Sequence, residues 1–160
     1  MKDNVAPIVV GVDNSDAARA ALRFALGEAS RRGCALDVVT VWSLYAQPGG
    51  TAPVDAREWT RAEAQHVQDC AVASVLTDYD AAPPILSRQV IEGDPAQVLL
   101  RIARNADYLV VGSGRKGPMK RLLAGSVSEF CVRHAACPVL VVPAPMNDNM
   151  PEAQLQPACP

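Results

Sequence analysis

Apolar residues in this chain come in short β-branched runs separated by longer stretches of helical spacing. Ile8 to Val12 reads as a buried strand, and Asp13-Asn14-Ser15 turns it into a helix with Ser15 as its N-cap. Ala18, Leu22, Ala25 and Ala29 recur along one face of that helix; its alanines allow close packing on a sheet, and Gly33 ends it. Ala35 to Trp42 is a second strand. The loop from Ser43 to Val54, rich in glycine and proline, is a connector long enough to flank a ligand. Asp55 to Thr77 is a long helix with Ala64, Val67, Ala71 and Val75 on one side. Ile85 to Ile91, interrupted by polar residues, predicts an edge strand. Asp94 caps the next helix, Pro95 takes its first position, and Val98, Leu99 and Ile102 form its apolar stripe. Tyr108 to Val111 is an unbroken apolar run, as expected of a parallel strand covered on both faces. A short helix and a last strand ending at Val142 follow.

Strand and helix therefore alternate throughout, which predicts an α/β fold: a single doubly wound domain with a parallel sheet, right-handed crossovers and helices on both faces. Residues 1–143 form the domain. Residues 144–160, where prolines and polar residues replace the apolar periodicity, read as a disordered Pro-rich tail. Ligands in such sheets sit beyond the carboxyl ends of the strands, where strand order reverses. Asp13 after the first strand and Gly112 after the fourth occupy such positions, and share a crevice if those strands are neighbours.

At 160 residues the chain is long enough for a substantial core, and a formal net charge of −2 gives no general pull toward nucleic acid. Aromatic residues are 4%, too few for a single-strand stacking platform. The sequence has no apolar run of membrane-spanning length and no signal-peptide core, so no membrane partner is expected. Five cysteines do not suggest a disulfide scaffold, and a cytoplasmic location is the simplest expectation.

The candidate chemistry concentrates between Asp107 and Val142. Four cations (Arg115, Lys116, Lys120, Arg121) lie among Gly112, Gly114 and Gly117, and Gly125-Ser126 leads into the helix, with Ser126 as N-cap and Glu129 closing a capping box. Glycines admit a phosphate close to the backbone, a helix N-terminus offers unpaired N–H groups, and the hydroxyls of Ser126 and Ser128 add donors. This combination favours anion binding over a surface loop that is merely basic.

These residues resemble the universal stress protein family. The resemblance covers about Ala6 to Pro143. It rests on Val10-Gly11-Val12-Asp13 with Ser15, on Glu92-Gly93-Asp94-Pro95, on Ala106 to Ser113, on Gly125 to Ser128 and on His134 to Val142. It implies a five-stranded sheet of order 3-2-1-4-5 and a homodimer made through the last strand. It also implies ATP, with or without magnesium, as the ligand of one branch. That branch spaces its glycines so that Gly112 fits the first position and Gly125-Ser126 the last. Arg115 occupies the middle position, with a glycine displaced to Gly114. Arginine there costs something if the position needs positive φ, or else brings a guanidinium to the phosphates. Gly11 and Asp13 would lie near adenine and ribose, and Val41 would pack on the base. The full set assigned to the nucleotide is Gly11, Val12, Asp13, Val41, Val111, Gly112, Gly114, Arg115, Gly125, Ser126, Val127 and Ser128.

Other readings are weaker. Gly112 to Gly117 spells a dinucleotide fingerprint, but on the fourth βα unit, with Pro118 and Gly125 breaking the helix it needs. A P-loop fails because Pro118-Met119 follows Gly117 where Lys and Ser or Thr belong. His66 with Cys70, and Cys131, His134 and Cys137, have metal-like spacing, yet small buried residue is the commoner role for such cysteines. With no catalytic constellation, the expectation is a stress-response protein that binds ATP as a regulatory ligand with slow or no hydrolysis, at most a weak ATPase. The alternative is a member without nucleotide that acts only through protein partners.

Overall fold

The computed structural model describes residues 5–43, 54–113 and 126–145, with side chains from residue 60 onward in the second helix. Five strands alternate with four α-helices: β1 (Ile8–Gly11), α1 (Asp16–Arg32), β2 (Leu36–Trp42), α2 (Val54–Thr77), β3 (Leu86–Glu92), α3 (Pro95–Ile102), β4 (Tyr108–Ser113), α4 (Ser126–His134) and β5 (Val139–Pro143). The strands pair in parallel in the order β3-β2-β1-β4-β5, so the expected fold class and sheet order are both present. The weakly apolar β3 is an edge strand, as its polar interruptions predict.

Alternation along each strand divides the core in two. Ile8, Val10, Leu36, Val38 and Val110 face α1 and α2, while Val9, Val39, Leu109 and Val111 face α3 and α4. All nine are at most 3% exposed, which is what a doubly covered parallel sheet requires. Among the described residues, no helix is long and apolar enough to cross a membrane.

Helix ends are set as the side chains dictate. Ser15 Oγ accepts from Ala18 N at 3.1 Å, Asp94 Oδ1 accepts from Gln97 N at 2.9 Å, and Pro95 opens α3. Gly33 ends α1 in the left-handed region (φ 66°), where its amide reaches the last turn. The expected capping box on α4 is not what forms. The helix already includes Ser126, and Glu129 Oε1 accepts from Arg133 Nη2 at 2.6 Å, one turn on along an exposed face.

The close fit of α1 on the sheet has a definite cause. A Cβ at Gly112 would lie 2.6 Å from Ala17 C and 2.8 Å from both Ala17 O and Ala18 N. Only glycine on β4, facing the alanine-rich start of α1, lets the two backbones meet. At the other end of the helix Arg32 pairs with Glu28 and Asp107 and lies 5.1 Å from the Tyr108 ring centre, tying α1 to the start of β4.

Candidate functional site

A cleft of about 150 Å³ opens beyond the carboxyl ends of β1, β2 and β4, at the point where strand order reverses. Gly11, Val12 and Asp13 leave β1 on one side; Val111 and Gly112 leave β4 on the other. Val39 and Val41, two apart on β2, present one face of that strand to the cleft. Val12 N donates to Val39 O at 2.8 Å, which fixes the chain leaving β1 against its neighbour.

Three helices bring their amino ends to the cleft: Ser15 and Ala18 from α1, Pro95 and Leu99 from α3, and Val127 from α4. Their unpaired N–H groups and aligned dipoles favour negative charge nearby. The walls are otherwise apolar. Asp13 is the only ionisable side chain among the described lining residues. Its Oδ1 accepts from Ser15 N at 2.9 Å, which holds the carboxylate at the turn and leaves Oδ2 for a partner. Asp13 therefore acts as turn residue and cleft residue together.

Of the residues assigned from sequence, Gly11, Val12, Asp13, Val41, Val111, Gly112 and Val127 are brought together here. Ser126 is exposed at the start of α4, and Ser128 is buried at 2% exposure; neither lines the cleft. Gly114, Arg115 and Gly125, with Lys116, Lys120 and Arg121, lie outside the described residues, as do 44–53 of the glycine- and proline-rich connector and the tail from 146 onward. Sequence reasoning passed over Val39, Pro95, Leu99 and Ala18 as lining residues. The signal for Val39 was present, since it shares a strand face with Val41. Pro95 and Leu99 are one helical turn apart at the start of α3, so they share a face too. The apolar stripe of α3 predicts Leu99 as core, and core it is: only 4% exposed, it belongs to the interior and to the cleft at once.

The metal-like spacings resolve into packing and surface contacts. Cys131 is fully buried in the α3–α4 core, where desolvation pushes its thiol up to about 11. His134 stacks on Phe130 with ring centres 4.1 Å apart, its Nδ1 2.9 Å from Phe130 O. On α2, Cys70 Sγ is 3.6 Å from His66 Nε2. Among the described residues, no group of three or more His, Cys, Asp or Glu side chains is placed to hold a metal ion.

Comparison with known proteins gives a consistent result. Universal stress protein Mb2019 of Mycobacterium bovis is 34% identical over 152 residues, 91% of this chain and 46% of that protein. The chain spans about half the length of the curated relatives it matches. Universal stress protein UspA from Lactobacillus plantarum has the same fold, with a TM-score of 0.69 at 28% identity over 88% of this chain and 99% of that one. A universal stress protein from Archaeoglobus fulgidus, solved in complex with dAMP, gives a TM-score of 0.62 at 26% identity, covering 87% of this chain and 98% of that one. The profile described as "Universal stress protein family" matches residues 5–143. Since that span takes in every strand and helix described above, this chain belongs to the universal stress protein family.

Proposed function

We propose that the cleft binds an adenine nucleotide, with ATP, with or without magnesium, as the regulatory ligand of a cytoplasmic stress-response protein. The observation that carries this reading is the meeting of an apolar slot with three helix amino ends. The slot between Val39, Val41 and Leu99 suits a flat heteroaromatic base, and the helix ends suit phosphates. The free oxygen of Asp13 is an acceptor for a sugar hydroxyl at the rim. The dAMP complex of the Archaeoglobus fulgidus relative supports the same ligand class. Gly114, Arg115 and Gly125, with the main-chain amides that open α4, complete the proposed phosphate cradle.

Binding rather than turnover is the role in this reading. Asp13, with one oxygen committed to Ser15 N, is the only ionisable group lining the described cleft, which favours slow hydrolysis or none. The protein acts as a homodimer paired through β5, an edge strand with Leu140 exposed. Occupancy of the cleft then sets the loop after β4 and with it the choice of protein partner. Arg115 at the middle motif position favours a second reading, in which the chain works through protein contacts alone.

Denaturing the purified protein and chromatographing what it releases separates the two. Adenine nucleotide is expected in the released fraction. If none appears, calorimetric titration with ATP, AMP and cyclic AMP follows; no heat and no thermal stabilisation at millimolar nucleotide would establish the second reading.

A further inference from the structure

Gly11 and Leu99 stand in an unusual relation at the back of the cleft. A Cβ built on Gly11 would lie 2.9 Å from Leu99 Cδ1 and 3.3 Å from Cδ2, so the end of the leucine rests directly over the glycine backbone. Gly11 is not in the left-handed region, so its missing side chain serves contact rather than conformation. Both residues line the cleft, and they come from β1 and α3.

We propose that Gly11 and Leu99 act as a matched pair that sets how large a base the cleft admits, an inference that rests on the adenine-nucleotide reading above. The argument concerns free volume. Leu99 packs with Val9, Val39, Val98 and Cys131, all at most 5% exposed, and a close-packed interior offers a displaced leucine no room. The cleft is the free volume beside it. A methyl group at position 11 therefore pushes Leu99 into the cleft and shortens it. Truncating Leu99 removes three carbons from the back wall and deepens it. The two changes oppose each other, because the new Cβ at position 11 occupies part of what the leucine vacates.

The test uses the full chain and calorimetric titration with ATP and three base-enlarged analogues carrying a benzyl group at N6, C2 or C8. In the wild type the analogue whose substituent points at Leu99 binds at least about tenfold more weakly than ATP. In L99A that analogue recovers relative to ATP while the other two keep their ratios. G11A weakens ATP itself, and G11A/L99A restores it. Thermal melting accompanies each titration, and G11A, where the obstacle is a movable side-chain end, keeps the test alive if L99A does not fold. Equal change of all four ligands in the variants, or failure of the double variant to restore ATP, would overturn the pairing alone. A folded wild type that takes up none of the four would overturn the adenine reading and the pairing with it.

Discussion

Replacing Gly112 by alanine asks why β4 carries a glycine near its carboxyl end. By the resemblance it is the first glycine of a phosphate-binding motif; in the structure its Cα lies against the backbone of α1. The added Cβ would sit 2.6 Å from Ala17 C and 2.8 Å from Ala17 O and Ala18 N. Ordinary carbon contacts lie near ~3.5–4.0 Å, so α1 and β4 must part by roughly 1 Å. Overpacking of this kind costs about 1–3 kcal/mol, and an obstacle made of main-chain atoms cannot rotate aside, which places G112A near the upper end. Loss of unfolded-state entropy on going from glycine to alanine returns about 0.4–1 kcal/mol. The net expectation is roughly 2 kcal/mol, or about 5–8 °C in Tm for a domain of this size. Urea and thermal denaturation measure it directly. Trimming Ala17 to glycine should not rescue G112A, because the clash is with backbone and not with the Ala17 methyl. G112A of wild-type stability, within about 0.5 kcal/mol, would refute the packing argument. If the loss is seen, weak nucleotide binding by a Gly112 variant cannot by itself be read as a lost phosphate contact.

Three further outcomes follow from the same geometry. Burial holds the Cys131 thiol at about 11 against 9.0 unfolded, so its contribution is present below pH 9 and is lost as pH rises toward 11. Stability should fall by roughly 2–3 kcal/mol over that interval, with a shallower fall in C131A; parallel slopes in urea titrations would contradict this. S15A removes the acceptor for Ala18 N and should cost about 1 kcal/mol in denaturant melts. If β5 is the dimer seam proposed above, L140E places a charge on an exposed leucine of that edge and should give monomers by light scattering, whereas an intact dimer would move the seam elsewhere.

Much of the fold was legible because the signals are local. Ile8-Val9-Val10 and Tyr108 to Val111 show no polar interruption because helices cover both faces of β1 and β4; β3, at an edge, shows several. Ser15, Gly33 and Asp94 announce helix ends through side-chain chemistry that acts within three residues. Ser126 shows the limit of the same rule. It has the right residue type three before a glutamate, yet it lies inside α4, and Glu129 pairs with Arg133 instead.

Packing across the sheet was not legible, since nothing along the chain records it. Spacing on α2 favours Val67 as the core residue, but Gln68 is the one fully buried, its Nε2 3.0–3.2 Å from Val38 O, Thr40 Oγ1 and Gln89 O. Those acceptors replace water for the amide N–H groups, the farthest of them 30 residues away in sequence, while Oε1 is buried without a hydrogen-bond partner among the described residues. The cleft obeys the same logic. Its rim, Gly11 to Asp13 and Val111-Gly112, was visible because strand ends carry it. Its back wall was not, because Leu99 looks like any core leucine until β1 and α3 are set side by side and the glycine opposite is found to leave room for it. What a sequence discloses about such a site is therefore where a ligand meets the chain; how far in it can go depends on pairs of residues that only the fold introduces.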